Sequence, residues 1–562
     1  MEALIQEQFA ALSIAEQVVR LEQADARTRQ QLILAARNSL ALTRALSSEK
    51  LFYTLKEIGL ADAVDLLALA SPEQVRDMMD LDCWRKDMLD DRRVATWLML
   101  LDEAGSGKLA EWALHADIEL LVLLVKRHFE IIRKSDVEED PDFDQSQYFT
   151  FDDQYLLRFI GEEEPILSLV LERLRVLDYE NYKQVLEWSL LELESSLEEE
   201  ALRWRNARLA DRGYPDYEEA REAFRVVAPA SLSLARYRRA GVEKVRYAAD
   251  EELIPADHAL MLLDVRESLL VRSLAALPAE YVEQIGHELA ILTNKVVVAE
   301  ACDPGEVAEV RKCVEAVHDY INIGLEYFTH TEKQDAARLL QETSLSPFFQ
   351  TGVSLVLRLP QRARDLGSVL QRQVGAAWAE LLDSPFRETY AGVRRRPPVF
   401  FRGLETAGEI FFRRFRTLAE VERVEALLDQ MPVWFAVLQR WRMLPEDCGA
   451  KGVSLAALWN TMLVHWVSRG QVEVRPLTRA ELSAFQKRLR DVPHDVARER
   501  FLSFAAAHLS LAAEETAALR ALDTFAFEKL EETLATDLES ADVRFIEGVL
   551  VERGKPVSLN SR

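Results

Sequence analysis

Apolar residues recur along the chain at three- and four-residue intervals from end to end, the spacing that keeps one face of an α-helix against a core. Between Tyr281 and Val298, Ile285, Leu289, Leu292 and Val296 form one such face, while His287, Ile291, Asn294 and Val298 form a second, partly polar one. A helix apolar on two faces belongs at the centre of a bundle. The next helix places Val310, Val314, Val317, Ile321 and Leu325 on its buried stripe. Start codes recur as well: Ser71-Pro72-Glu73-Gln74, Asp303-Pro304-Gly305-Glu306, Thr417-Leu418-Ala419-Glu420 and Thr478-Arg479-Ala480-Glu481. In each, a side-chain oxygen can satisfy an orphan amide and a Glu or Gln can reach back. Strand patterning is nearly absent, and the triplet Val296-Val297-Val298 continues a helical period.

The pattern predicts a mostly α, multi-unit protein beginning with a superhelix of short stacked helices. From about Leu51 to Phe129 the helices are about ten residues long and their connections are brief enough to force tight helical turns. Asp136 to Asp144 holds six acidic residues in nine around Pro141 and reads as a solvated linker. Arg212-Gly213-Tyr214-Pro215-Asp216 marks another break, and Arg394-Arg395-Arg396-Pro397-Pro398 stops helices on both sides. The expected units are a superhelical 1–135, an acidic linker at 136–144, a central helical domain at 145–390 and a C-terminal helical domain at 399–562. Phe400, Phe401, Phe411, Phe412, Phe415, Trp434, Phe435 and Trp441 supply that last unit with a core of its own.

Asp62-Ala63-Val64-Asp65-Leu66-Leu67, then Ser71-Pro72-Glu73-Gln74, then Asp90-Asp91 leading into Val94-Ala95-Thr96-Trp97-Leu98 alternate acidic helix starts with Leu-rich bodies. Residues 51–129 thereby resemble the superhelical N-domain of MgtE-type magnesium transporters. That family's nucleotide-sensing domains and membrane helices have no counterpart here, so the resemblance implies a stacked-helix fold and carries over no magnesium ligand. The whole chain also resembles a bacterial family of long, acidic, helical proteins of unknown function, which implies a setting and no chemistry.

Composition narrows the function classes. The 95 acidic residues against 69 Lys and Arg leave a net charge of −26, which opposes a polyanionic nucleic acid or an anionic membrane surface. No apolar run approaches the ~20 residues of a membrane span. The N-terminal sequence has no basic segment followed by an apolar one, so no export signal is expected. Cys83, Cys302, Cys313 and Cys448 are dispersed without a CxxC pair, which fits a reducing compartment. A cytoplasmic location is the expectation, with Cys302 and Cys313 as small buried residues on a turn and a helix flank.

Candidate chemistry is sparse. If the helices either side of Cys302-Asp303-Pro304-Gly305 pair antiparallel, His287 stands level with His318 and Glu283 with Asn322. Glu283, His287, His318 and Asn322 then form the candidate catalytic cluster, and His287, His318 and Glu283 the candidate ligands of a divalent metal. The competing account is an interhelical polar cluster whose hydrogen bonds are structural. Gly105-Ser106-Gly107-Lys108 lacks the earlier glycine and the following Ser or Thr of a phosphate loop, and it reads as a helix–helix turn. The clusters Arg236-Tyr237-Arg238-Arg239, Arg394-Arg395-Arg396 and Arg413-Arg414-Phe415-Arg416 could hold phosphates, or could pair with the abundant acids of the same chain. Without a catalytic signature, the expected function is non-catalytic: protein interaction, as a scaffold or regulator, with no cofactor. Its expected partner is a protein bearing a basic or amphipathic-helical patch. A metal-dependent enzyme or metal sensor working between the helices at 280–330 is the alternative.

Overall fold

The computed structural model describes residues 9–85, 87–140, 142–160, 165–239, 267–332, 335–444, 453–489, 493–535 and 548–552. It is predominantly helical, and its strands form three two-stranded antiparallel ladders among the described residues. No helix among them is long and apolar enough to cross a membrane. The chain divides into two compact units at 351/352.

The first unit opens with eight short helices: α1 (Ile14–Glu22), α2 (Ala26–Ala35), α3 (Ser39–Ala45), α4 (Ser48–Ile58), α5 (Val64–Leu69), α6 (Pro72–Asp82), α7 (Asp91–Glu103) and α8 (Ser106–His115). Each packs on the next but one, α1 on α3, α2 on α4 and so on to α6 on α8, which makes two parallel rows. This is the expected superhelix. Local chemistry sets its corners: Ser13, Asp25, Ser47, Ser71 and Asp90 each accept a hydrogen bond from the third amide beyond them, closing a helix start. At Ser71, proline in the first turn and Gln74 reaching back complete the predicted code. Gly59 and Gly105 turn the chain between helices at φ of +108° and +138°, a backbone region that a Cβ would strain. Gly105 thus belongs to a helix–helix turn. Between α6 and α7, the short strands β1 (Trp84–Arg85) and β2 (Met88–Leu89) pair antiparallel.

The stack continues into α9 (Ile118–His128), which runs directly into β3 (Phe129–Arg133). β3 pairs antiparallel with β4 (Tyr155–Phe159), Phe129 opposite Phe159 and Arg133 opposite Tyr155. The acidic segment at 136–144 therefore lies inside an excursion whose two ends are joined by a β-ladder, and no unit boundary falls there. The acids stay solvated as expected; what flanks them are two five-residue strands, too short to stand out against the helical pattern. After β4 come α10 (Pro165–Leu177), α11 (Tyr179–Leu191), α12 (Glu194–Asp211), α13 (Tyr217–Glu222), α14 (Leu269–Leu274), α15 (Ala279–Ala299), α16 (Val307–Glu332) and α17 (Ala336–Glu342). α12 packs on α6 and α9, and α16 on α4, α14 and α15. α4 and α6 are thereby covered, and Ser48 through Leu55 of α4 are buried without interruption. Val296 and Val297 are buried helix, as the period predicts.

The unit boundary falls within α18 (Ser346–Leu357). The second unit holds α19 (Leu359–Val374), α20 (Phe386–Val393), β5 (Phe400–Phe401), β6 (Phe412–Arg413), α21 (Leu418–Arg440), α22 (Leu455–Arg469), α23 (Arg479–Arg488), α24 (His494–Leu509) and α25 (Ala513–Leu534). The proline break at 394–398 ends α20 and leads into β5, which packs on α20 and pairs with β6. It therefore lies inside this unit. α25 is its axis, packing on α21, α22 and α24. Trp434 Nε1 donates to the Ala518 carbonyl at 2.8 Å and Trp459 Nε1 to Asp523 at 2.8 Å, so both buried indoles satisfy their one donor. Phe400, Phe401, Phe415 and Phe435 join them in the core, whereas Phe411 is exposed.

Candidate functional site

The first unit concentrates its charge where α6, α7, α12 and the α15–α16 turn meet. α6 is amphipathic in an unusual sense, since Asp77, Asp80 and Asp82 are all buried. A buried carboxylate persists only with cations and donors around it, and α12 with the residue that caps its end supplies three arginines. Arg208 holds Asp80 through two hydrogen bonds, at 2.6 and 3.0 Å, and also pairs with Asp117 at 2.8 Å. Arg205 donates to the Asp80 carbonyl at 2.8 Å. Arg212 bridges Asp77 and Glu49, the latter at 3.0 Å. Burial still pushes the Asp80 carboxyl above its ordinary value, with Arg208 opposing the rise. Asp82 collects Lys56 at 2.9 Å, Arg93 at 3.1 Å and the Trp97 indole at 2.9 Å.

Arg93 also reaches the α15–α16 turn, pairing with Asp303 at 3.0 Å and Glu306 at 3.1 Å, while Arg85 pairs with Asp303 at 3.2 Å. Gly305 is pressed so closely against this network that a Cβ there would lie 2.3 Å from an Asp82 oxygen. The turn is thus clamped to the superhelix. The start code expected at Asp303 does not form: the Asp303 carboxylate accepts from Gly305 N at 2.9 Å, Glu309 in place of Glu306 reaches back to Asp303 N at 2.9 Å, Glu306 pairs with Arg93, and α16 begins only at Val307.

At the C-terminal end of α15 the chain reverses through Ala301, whose φ of +53° is uncommon for a side-chain-bearing residue. Cys302 N donates to Val297 O at 2.9 Å and Ala301 N to Val298 O at 3.1 Å, closing the helix end. This turn brings Cys302 against Cys313 of α16, with the two sulfurs 3.0 Å apart as thiols. Glu300, Cys302 and Cys313 each offer a ligand atom, and the three atoms lie within 4.8 Å of one another. Cys313 is buried, whereas Glu300 and Cys302 are partly open.

The residues singled out from sequence are placed differently. His318 is buried, with Nε2 3.0 Å from the Ser268 hydroxyl and Nδ1 3.2 Å from Asp319. Asn322 accepts from Leu270 N at 3.2 Å and donates to Glu326 at 2.8 Å. Together His318 and Asn322 anchor the start of α14. Glu283 is exposed and His287 half-buried on α15. Among the described residues, the group able to close around one ion is Glu300, Cys302 and Cys313, rather than Glu283, His287 and His318. The sequence pattern marks both cysteines only as small buried residues, and Cys302 is instead partly open. The usable signal was that both flank the reversal of a helical hairpin, where residues eleven apart can meet. Of the arginine clusters, Arg239 is buried and pairs with Glu288 at 3.0 Å, and Arg413 holds Glu420 through two 2.9 Å bonds. Arg394, Arg395 and Arg396 are exposed, with Arg395 lying 3.9 Å above the Phe412 ring.

A model of a family of unknown function, DUF6178, matches residues 6–552. The chain belongs to that family. DUF6178 membership fits the resemblance of the whole chain to long helical proteins of unknown function and gives no support to the MgtE likeness at 51–129. No curated protein matches the chain, and no solved structure does. The acidic starts and Leu-rich bodies behind that likeness are what any stack of short helices requires.

Proposed function

We propose that this protein is a non-catalytic cytoplasmic scaffold or regulatory protein that acts by binding another protein. The observation that carries this reading is a series of apolar side chains left open along one row of the superhelix. Val19, Leu40 and Met99, on α1, α3 and α7 of the same row, are about half exposed, at 53%, 46% and 52%. Stacked short helices offer long surfaces to extended or helical partners, and spaced apolar side chains suit the apolar face of an amphipathic helix. The net charge of −26 favours a partner with basic flanks. Native mass spectrometry of protein purified gently from its own cells is the direct test. A stoichiometric protein partner is expected, lost in a Leu40→Asp, Met99→Asp double variant whose circular dichroism and melting are unchanged. Purification without any protein partner, or a partner retained by that variant, overturns the reading.

A second reading, a metal-dependent enzyme or metal-sensing protein with its site between the helices at 280–330, is favoured by one observation: the grouping of Glu300, Cys302 and Cys313.

A further inference from the structure

We propose that Glu300, Cys302 and Cys313 form a binding site for a thiophilic divalent cation, with Zn2+ as its natural occupant. The inference deepens the second reading and is independent of the interaction reading. Three features of the turn carry it.

The first is the donor set. Two thiolates and a carboxylate match the ligands of zinc, whereas hard cations such as Mg2+ and Ca2+ select oxygen alone. Three protein ligands leave a fourth tetrahedral position for water or an exogenous donor.

The second is distance. Zn–S bonds of about 2.3 Å at a tetrahedral angle hold two sulfurs roughly 3.7 Å apart. Here they are 3.0 Å apart, and all three donor atoms lie within 4.8 Å. Closing on an ion therefore needs each sulfur to move by only about 0.4 Å, well inside the ordinary spread of a χ1 rotamer.

The third is preorganisation. Glu300 and Cys302 flank Ala301, whose left-handed φ aims both donors from one closed helix end. Cys313 approaches from α16, and the connecting turn is fixed by Arg85, Arg93 and Gly305. Asp303, the nearest further carboxylate in sequence, is committed to those arginines and to Gly305 N. A site built on a clamped turn loses little conformational freedom on binding. The half-open Glu300 and Cys302 give an ion a way in.

The test uses the full chain, reduced, stripped of metal, and titrated with Co2+ and then Zn2+. One Co2+ per chain is expected, with a sulfur-to-cobalt charge-transfer band in the near ultraviolet that Zn2+ abolishes on displacing it. Cys302→Ser and Cys313→Ser should each weaken Zn2+ binding roughly 100-fold or more and remove the band, Glu300→Gln should weaken it roughly 10-fold, and Cys83→Ser should leave it unchanged. As a readout that needs no variant to fold, Zn2+ should protect Cys302 in the native protein from alkylation, mapped on its peptide by mass spectrometry. A wild-type chain that binds no metal overturns both this site and the metal reading. Metal retained by the Cys302→Ser, Cys313→Ser double variant but lost in His287→Ala or His318→Ala overturns this site and leaves the metal reading standing. A Cys302–Cys313 disulfide as the form isolated from the reducing cytoplasm also overturns it.

Discussion

At the scale of single residues, the most consequential groups are buried charges rather than exposed ones. Asp80 is buried and doubly hydrogen-bonded by Arg208. Removing one member of such a pair strands the other, which costs far more than the pair itself contributes. Arg208→Ala should therefore lower stability by about 3–5 kcal/mol in thermal unfolding, and adding Asp80→Asn should restore part of the loss. A different dependence is expected at Glu187, where Arg133 and then Tyr155 hydrogen-bond the carboxylate and hold its pKa down at about 2, against an ordinary 4.5. The folded state thus prefers the ionised form, so this contribution is present above pH 4.5 and is lost as pH falls from 4.5 towards 2. The melting temperatures of wild type and Glu187→Gln should differ at pH 7 and converge towards pH 3.

At the scale of elements, close approach matters as much as charge. Gly324 lies in α16 where the first residues of α18 cross it, and a Cβ there would stand 1.9 Å from the Phe348 carbonyl oxygen. Neither backbone can yield without disturbing buried Phe328 and Phe348, so Gly324→Ala should cost at least about 1–3 kcal/mol and lower the melting temperature. Much at this scale was legible in advance. Ser71-Pro72-Glu73-Gln74 and Thr478-Arg479-Ala480-Glu481 form the boxes their spelling predicts, because capping is decided within four residues. The β3–β4 ladder was not legible, since its partners are about 26 residues apart and neither strand alternates cleanly. The meeting of Cys302 with Cys313 escaped for a related reason: it depends on one left-handed residue, Ala301, a conformation that alanine does not advertise. His318 and Asn322 were legible as buried polar groups, while the segment they hold, the start of α14, lies some fifty residues earlier.

At the scale of the whole molecule, helical periodicity gave the class and the stacked start, while the units are not marked where the chain's punctuation falls. Prolines and acidic runs end helices, and a unit ends where packing does; α12 and α16 return to the superhelix across more than a hundred residues. The closure of the acidic excursion by β3 and β4 has a consequence for how this protein can vary and be engineered. Its ends are pinned by the ladder, and the entropy of a loop with fixed ends grows only logarithmically, at about 0.6 kcal/mol for each doubling of its length. Residues 136–144 should therefore accept a reporter domain whose termini lie close together, flanked by short flexible spacers, with a melting temperature within a few degrees of the parent. Relatives should differ in length at this segment more freely than at any turn that touches Asp82.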